Sequence, residues 1–368
     1  MLLTYQRKLK GEKVGIVFGT FAPLHQGHLD VIMRAKKEND GGCMIIVDGR
    51  DNDRGGDKMP LAKRYRYVRE FFADDDLVAV YAVNETELNI PAYPNGWNPF
   101  ITEVMRIFGE SAIGKPVFYV GEPEYEAWLT KEGYATVLIN RNDNLISATM
   151  IRQNPIKHWD KITFPFRRVF STNILICGTA SEGKTTLTKD LGKYFNAPYS
   201  HEYARDYMAE SYISEWELDG TDYMAFLDGQ YQLNKKLINS SSNQGVFFAD
   251  SDSMTTRMYA EHYSKDPSLP LTETEAKEVA IAADAITRKC RWEKIYLLCP
   301  QGVFVDDHTR YMACSGMNER QELFDSLCRI IKESGNWDKV TILNKGYWGN
   351  FNAIVNDVKE IIKNGSND

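Results

Sequence analysis

The stretch Gly19-Thr-Phe-Ala-Pro-Leu-His-Gln-Gly-His28 decides the fold of the first half of this chain. It follows the apolar run Val14–Phe18, which predicts a buried parallel strand, and precedes Leu29–Lys37, which predicts a helix. A turn that leaves a parallel strand and opens into a helix presents backbone N–H groups and a positive dipole end to an anion. Two imidazoles beside those groups indicate that the anion is a phosphate chain.

Strands and helices alternate along the chain on both sides of this turn. The predicted strands are Val14–Phe18, Cys43–Val47, Leu77–Val83, Val117–Val120, Thr136–Ile139, Asn173–Cys177, the run from Val246 to Asp250, Ile295–Cys299 and Val340–Leu343. The predicted helices are Leu29–Lys37, Leu61–Phe72, Phe100–Phe108, Tyr125–Lys131, Thr186–Tyr194, Ser253–Tyr263, Thr272–Arg288 and Gln321–Ser334. Such alternation predicts an α/β protein with doubly wound parallel sheets. Ligands should then bind at the carboxyl ends of the strands.

Length and composition limit the function classes. A chain of 368 residues is too long for one ordinary domain, so two are expected. The net charge of −7 argues against nucleic-acid binding, and we expect no DNA partner. We find neither a signal peptide nor an apolar run long enough to span a membrane. The six cysteines form no Cys-x-x-Cys pair, which is typical of free thiols in a reducing cytosol, so we expect a cytoplasmic protein.

The two histidines of the opening turn are the first candidate catalytic residues. Gly19 and Gly27 allow close backbone approach, and Pro23 stiffens the turn. Helix capping or packing by His25 and His28 is the structural alternative. However, the pattern Gly-x-Phe-x-Pro-x-His-x-Gly-His resembles the signature of the HxGH nucleotidyltransferase superfamily. That resemblance implies a Rossmann-like domain that binds ATP.

A second stretch, Ile146-Ser-Ala-Thr-Met-Ile-Arg152, resembles the carboxyl-terminal motif of the same superfamily. Ser147 and Thr149 suit a helix N-terminus whose free N–H groups face phosphate. Arg152 follows about one turn later and can bind the same anion. An ordinary serine-capped helix is the alternative. The ATP-binding candidates of this first domain are Gly19, Thr20, Phe21, His25, His28, Ser147, Thr149 and Arg152.

Between the two motifs, the loop Pro91–Asn98 is rich in turn-forming residues and contains one indole that we expect to be exposed, Trp97. A flat, electron-rich ring suits a cationic aromatic group such as nicotinamide. The alternative is an indole that packs the loop onto the core. We take Tyr93, Asn95, Gly96 and Trp97 as candidate substrate-binding residues.

The segment Asn154–Ser171 contains two prolines and little apolar periodicity, so it is interpreted as a connector that packs on a domain through its aromatic residues. We therefore predict one domain over residues 1–165 and a second over 171–368.

The second domain opens with Gly178-Thr-Ala-Ser-Glu-Gly-Lys-Thr185, which fits the P-loop pattern between a predicted strand and helix. The backbone of 181–185 would bind the β-phosphate, Lys184 the β- and γ-phosphates, and Thr185 Mg²⁺. Asp250, at the end of another strand, is the second predicted metal ligand. The ATP-binding candidates here are Gly178, Ser181, Glu182, Gly183, Lys184, Thr185 and Thr186.

A polar cluster at Tyr199–Tyr207 supplies the candidate base of this domain. Glu202 would accept the proton of a substrate hydroxyl, and Arg205 would bind a charged group. An internal Glu202–Arg205 salt bridge is the alternative. Tyr207 and Asp252 complete the candidate substrate-binding set, although Asp252 fits the N-cap of the helix after it equally well.

The segment Asp306–Arg310 follows the strand Ile295–Cys299 and resembles the lid of nucleoside kinases. In such a lid, Arg310 would neutralise transition-state charge, with Arg320 assisting.

Taken together, the two halves resemble the bifunctional nicotinamide-nucleotide adenylyltransferase/ribosylnicotinamide kinase (NadR-type) family. The resemblance covers roughly residues 13–365. It implies a P-loop kinase that makes NMN from ribosylnicotinamide and ATP, and an adenylyltransferase that makes NAD from NMN and ATP, both with Mg²⁺. Many members begin with a helix-turn-helix domain; the first strand here starts near Val14, so we expect that domain to be absent.

Two other hypotheses about function are compatible with the same two folds. One is an enzyme that acts on another nucleoside or phosphate acceptor. The other is a regulator that senses NAD or ATP with weakened catalysis and contacts a vitamin transporter. We expect the protein to form a homo-oligomer.

Overall fold

The computed structural model describes residues 8–50, 53–139, 146–301 and 316–364. It divides the chain into two compact units, the first ending at Phe170 and the second beginning at Ser171. Each unit contains one five-stranded sheet in which all described strand pairs are parallel. The predicted fold class, α/β with two parallel sheets, is therefore confirmed.

The first unit has the strand order β3-β2-β1-β4-β5. Its strands are β1 (Leu9–Gly19), β2 (Cys43–Gly49), β3 (Val78–Asn84), β4 (Ala112–Val120) and β5 (Ala135–Leu138). Its helices are α1 (Gln26–Glu38), α2 (Leu61–Phe71), α3 (Trp97–Ser111), α4 (Pro123–Lys131), α5 (Ala148–Gln153) and α6 (Phe164–Phe170).

Side-chain alternation in β2 gives this sheet two buried faces. Cys43, Ile45 and Val47 pack in one apolar cluster with residues of α1, α2 and α6. Met44 and Ile46 pack in the other with residues of α3 and α4. Successive side chains of a strand point to opposite faces, so a continuous apolar run is buried on both sides. Helices therefore cover both faces, and the carboxyl edge of the strands remains for ligands.

The second unit has the order β10-β9-β6-β8-β7. Its strands are β6 (Thr172–Gly178), β7 (Tyr199–Ser200), β8 (Val246–Asp250), β9 (Lys294–Leu298) and β10 (Val340–Leu343). Its helices are α7 (Lys184–Phe195), α8 (Tyr203–Ser211), α9 (Gly220–Ile238), α10 (Ser253–Tyr263), α11 (Glu273–Thr287), α12 (Met317–Glu333) and α13 (Gly346–Asn364).

The structure contains two long helices of the second unit, α9 and α13, that the apolar periodicity of the sequence does not predict. Both carry a buried apolar side: Tyr223 and Phe226 of α9 pack on one face of the sheet, and Ile354 and Val358 of α13 on the other. The predicted connector before Ser171 also contains the short helix α6. Within the part of the chain that the structure describes, no helix combines the length and hydrophobicity that crossing a membrane requires.

Candidate active sites

The turn between β1 and α1 places His25 and His28 side by side. His25 is the N-cap of α1, and its Nδ1 accepts a hydrogen bond from the Gly27 amide at 3.1 Å. The two imidazole rings stack with centroids 3.8 Å apart. Burial lowers the pKa of His25 to about 4, so the ring is neutral at pH 7. Because Nδ1 is the acceptor, the remaining proton of His25 lies on Nε2, which can donate to an anion.

The side chains of Thr20 and Phe21, in the same turn, contact other residues of the protein. Phe21 has a positive φ of 47°, and its ring is buried and packs edge-on against His28 at 4.9 Å. The Thr20 hydroxyl donates to Asp48 Oδ1 at 3.2 Å. Residues Gly19, Thr20 and Phe21 therefore offer a ligand mainly their backbone groups.

The carboxyl-terminal motif reaches this turn, as its spacing predicted. Ser147 caps α5 by accepting from the Met150 amide at 3.2 Å. Arg152 Nη1 donates to the Ala22 carbonyl oxygen at 2.5 Å, and its Nη2 donates to Thr149 Oγ1 at 3.1 Å. Burial lowers the pKa of Arg152 below its usual range, but the side chain remains a cation. A guanidinium, two imidazoles and two helix N-termini thus converge at one sheet edge.

Sequence reasoning missed a buried cation beneath this edge, Arg64 of α2. Its side chain is fully buried. The guanidinium donates to the carbonyl oxygens of Met59 and Asp48, both at about 2.8–2.9 Å, to that of Thr20, and to the Asp53 carboxylate. Arg64 therefore connects the turn between β1 and α1 to the end of β2 and to the loop after it. Nothing in the local sequence around Arg64 distinguishes it from the other arginines of α2.

The loop before α3 differs from the prediction at Trp97. The indole is 8% exposed rather than open to solvent, and it stacks on Tyr125 with ring centroids 4.5 Å apart. Tyr93 is the exposed ring of this aromatic group, at 57%, and lies 5.4 Å from Tyr125. The Trp97 indole nitrogen has no hydrogen-bond partner among the described residues. The Trp97 ring therefore packs the loop onto the core, which was the structural alternative, while its N–H remains available as a hydrogen-bond donor.

The remaining residues of this loop are small and polar. Asn95 is exposed, and Gly96 lies against the carbonyl oxygen of Pro91 so closely that a Cβ at this position would come within 1.8 Å of it. Glycine is thus required at 96 by the approach of the two chain segments.

In the second unit, β6 leads into the P-loop and then α7. The loop reverses direction through left-handed residues, with φ of 65° at Ser181 and 76° at Gly183. Lys184 is buried and donates from Nζ to the Thr179 carbonyl oxygen at 2.7 Å. Successive amides in such a turn form a concave anion site. Thr186, on the first turn of α7, is exposed.

The two predicted metal ligands meet. The Thr185 hydroxyl donates to Asp250 Oδ2 at 2.5 Å, although the residues are 65 positions apart in the sequence. Asp250 is fully buried at the end of β8, and burial raises the pKa of its carboxyl while the Lys184 ammonium opposes the shift. A hydroxyl beside a buried carboxylate fits Mg²⁺, which favours hard oxygen ligands. Within the described ranges, no cluster of three or more His, Cys, Asp or Glu side chains could hold a metal ion.

A cavity opens beside the P-loop. Its lining contains four of the predicted residues: Lys184, Glu202, Arg205 and Asp252. The other lining residues are Ala180, Ala204, Met208, Glu215, Leu218, Tyr223, Phe226, Gln230, Ser251, Thr255, Thr256, Tyr259 and Tyr263.

The structure also contains the two structural alternatives described for these residues, the Glu202–Arg205 salt bridge and the N-cap role of Asp252. Glu202 Oε2 accepts from Arg205 Nε at 3.0 Å, so the salt bridge forms while both residues line the cavity. Asp252 caps α10 through the amides of Met254 and Thr255 and accepts from the Trp292 indole at 3.0 Å. Burial raises the pKa of Asp252 to about 6.

Two predicted ligand-binding residues, Tyr207 and Glu182, form hydrogen bonds with other protein groups. The Tyr207 hydroxyl donates to Asp222 at 2.9 Å, and Tyr207 is not among the residues that line the cavity. The Glu182 carboxylate is turned to Arg320, Thr179 and the Gln301 amide. The predicted lid, with Arg310, lies outside the described residues.

One face of α10 supplies lining residues that sequence reasoning missed. Thr255, Tyr259 and Tyr263 follow at intervals of four and line the cavity together. Residues four apart share a helix face, so this spacing could have indicated them. The buried Thr255 hydroxyl has no hydrogen-bond partner within the ranges described.

These features define a two-domain α/β enzyme with a nucleotidyltransferase-like unit and a P-loop unit. A cytidylyltransferase-like family model matches residues 16–154, and an AAA-domain model matches 173–350. Two curated relatives are each described as a trifunctional NAD biosynthesis/regulator protein NadR. The Salmonella typhimurium protein is 28% identical over 98% of this chain and 85% of its own length, and the Escherichia coli protein 28% identical over 95% and 83%.

Two solved structures of NadR proteins match nearly the whole chain. One, in complex with NR, has a TM-score of 0.81 at 36% identity and covers 96% of this chain and 97% of its own. The other, in complex with NAD and AMP-PNP, has a TM-score of 0.78 at 37% identity with the same coverage. The chain belongs to the NadR family and is an enzyme of NAD biosynthesis.

Proposed function

We propose that the chain carries out two consecutive reactions of NAD synthesis. The P-loop domain, residues 171–368, phosphorylates ribosylnicotinamide to NMN with ATP. The nucleotidyltransferase domain, residues 1–165, joins NMN and ATP into NAD and releases pyrophosphate. The observation that carries the proposal is that each unit gathers its phosphate-binding residues at the carboxyl edge of its own sheet. The NadR structures with NR and with NAD and AMP-PNP support the choice of substrates.

In the adenylyl transfer, the NMN phosphate oxygen attacks the α-phosphorus of ATP, and the bond to pyrophosphate breaks. The nucleophile is already an anion, so no base is needed. His25 Nε2–H, His28 and Arg152 would stabilise the charge that develops on the phosphates. Because His25 is neutral, it contributes a directed hydrogen bond rather than a full charge.

For the nicotinamide group of NMN, the loop before α3 offers two kinds of contact. The exposed Tyr93 ring provides a face for the cationic pyridinium. The buried Trp97 N–H is a donor suited to a carboxamide oxygen. Asn95 and Gly96 border the same loop. This role for Trp97 replaces the stacking role, since Tyr125 covers one face of the indole.

In the kinase reaction, the 5′-hydroxyl of ribosylnicotinamide attacks the γ-phosphorus of ATP. Glu202 would take the hydroxyl proton, and ADP leaves. Arg205 holds the Glu202 carboxylate in place at 3.0 Å and faces the same cavity. Lys184 would exchange its bond with the Thr179 carbonyl for the β- and γ-phosphates. Mg²⁺, held by Thr185 and Asp250, would neutralise charge on those phosphates.

The nucleoside portion fits the rest of this cavity. A pyridinium carries a positive charge, and the cavity combines aromatic rings with the carboxylates of Glu215 and Asp252. The Thr255 hydroxyl can bind a polar group of the substrate.

Mass spectrometry of the products from ribosylnicotinamide and excess Mg-ATP tests the proposal. We expect NMN and then NAD from the wild-type chain. With Lys184→Ala we expect neither product from ribosylnicotinamide but normal NAD formation from added NMN. Absence of both products from the wild-type chain would favour a regulator that binds nucleotides, and products from another nucleoside alone would change the acceptor.

A further inference from the structure

A buried ion pair lies beside the P-loop. The side chains of Glu182 and Arg320 are only 3% and 2% exposed. Removing two charges from water costs several kcal/mol each, and the cost is offset only by good geometry and further hydrogen bonds. Because burying both charges is costly, their position beside the P-loop needs an explanation other than solubility.

The Glu182 carboxylate joins three segments of the chain. One oxygen accepts from Arg320 Nη2 and from the Thr179 hydroxyl at 3.2 Å, and the other accepts from the Gln301 amide at 2.9 Å. Arg320 Nη2 also donates to the Gln301 carbonyl oxygen at 3.1 Å. The P-loop is thereby tied to the chain just after β9 and to the first turn of α12.

The position of Glu182 in the loop explains why such an anchor matters. Its neighbours Ser181 and Gly183 both have left-handed backbone, with φ of 65° and 76°. For serine this conformation costs about 1–2 kcal/mol and persists only where the surroundings hold it. The amides that would bind phosphate belong to this same stretch, so the direction in which they point depends on what fixes Glu182.

We propose that Glu182 and Arg320 are positioning residues for nucleotide binding in the P-loop domain. Glu182 acts through the backbone it fixes, with its carboxylate directed away from the phosphates, and Arg320 acts through Glu182. This assignment rests on the proposed kinase function and replaces the direct ATP contact predicted for Glu182. Preorganised amides bind phosphate without an ordering cost, so loss of the anchor should weaken binding of ATP in particular.

The test compares Glu182→Gln, Arg320→Gln and the double variant in the full chain. Calorimetric titration with Mg-AMP-PNP gives nucleotide affinity, and the P-loop isotherm is the one that Lys184→Ala abolishes. We expect each single variant to weaken this affinity about tenfold or more, since each breaks the buried Glu182–Arg320 ion pair from one side. The KM for ATP in the kinase assay should rise more than the KM for ribosylnicotinamide. The double variant should recover part of the loss, because the ion pair is then removed from both sides and the two effects are not additive.

Glu261→Gln is the matched control. Glu261 pairs with Arg257 and Arg329 on helices α10 and α12 of the same unit, so this variant removes a carboxylate from an ion pair that does not touch the P-loop. We expect it to leave nucleotide affinity unchanged. If a Glu182 variant fails to fold, Thr179→Val removes one bond to the carboxylate without uncovering a charge and should weaken affinity in the same direction by a smaller factor.

A purely structural pair would lower the melting temperature of the unit and leave nucleotide affinity at the wild-type value; that result overturns the proposal. Tighter binding in Glu182→Gln would also overturn it, because the pair would then oppose nucleotide binding. If the wild-type chain binds AMP-PNP but phosphorylates no ribosylnicotinamide, the proposed function fails. The affinity comparison still decides the positioning role in that case.

Discussion

Replacing Arg64 by methionine should destabilise the first unit more than any surface substitution. The guanidinium is fully buried and bonds to the carbonyl oxygens of Met59, Asp48 and Thr20 and to the Asp53 carboxylate. Methionine has a similar volume and helix propensity, so the main change is the loss of the charge and its hydrogen bonds. Breaking a buried ion pair from one side costs about 3–5 kcal/mol. Asp53 is 14% exposed and regains some solvation, so we expect about 3 kcal/mol.

Hydrogen exchange read by mass spectrometry measures this cost for each unit separately. The free energy of opening should fall by about 3 kcal/mol in peptides of β2 and α2 and stay constant in peptides of β6 and α7. Because the Thr20 carbonyl loses its donor, adenylyl transfer should also slow, whereas kinase activity should not.

Arg106→Met is the control in the same unit. Arg106 pairs with Glu103 and Glu110 along α3 and its side chain is 53% exposed, so its removal should leave the opening free energy close to the wild-type value. If Arg64→Met changes the opening free energy no more than Arg106→Met does, then the buried network does not hold the turn and the reasoning is wrong.

Three further predictions concern the first unit. His28→Ala should lower the rate of NAD formation from NMN about 100- to 1000-fold, as expected for loss of a donor to developing charge, and leave NMN formation intact; near-normal NAD synthesis would refute the role. Because the pKa of His25 is lowered to about 4, adenylyl transfer should show no inflection from this ring between pH 5.5 and 9; an inflection that vanishes in His25→Asn would contradict this. Burial, followed by the charge of Glu85, raises the pKa of Asp48 to about 7. The protonated carboxyl therefore favours folding, and that stability is fully present below its ordinary pKa and is lost as the pH rises from about 4 to about 7, at about 1.4 kcal/mol per pH unit. Asp48→Asn should remove this slope in hydrogen exchange at pH 5 and pH 8, and an unchanged slope would exclude Asp48 as its source.

Local turn chemistry is the part of the site that could be predicted from the sequence. His25 and Lys184 both lie at a turn between a strand and a helix, and contiguous residues of the sequence define that arrangement. The pairing of Thr185 with Asp250 was also predictable, because both follow strands of one parallel sheet. The contact of Arg152 with the Ala22 carbonyl follows from the same topological rule.

Side-chain direction was not predictable in the same way. The loop around Trp97 has a polar, turn-rich sequence, yet the indole is buried because Tyr125 of α4 covers it. Glu182 looks like a phosphate-loop residue, yet its carboxylate is turned to Arg320, which lies 138 positions away. Neither partner can be identified from the segment it contacts.

The sequence by itself therefore determined the two α/β sheets and the two glycine-containing turns that join a strand to a helix, since strand patterns and such turns are set by neighbours along the chain. Only the tertiary structure decided which polar groups are buried, paired and aimed at a ligand. The Arg64 network, the Glu182–Arg320 pair and the cavity beside Glu202 each join residues from distant segments. Burial of a charge is favourable only when every partner is in place, and that condition is met by packing rather than by any one stretch of sequence.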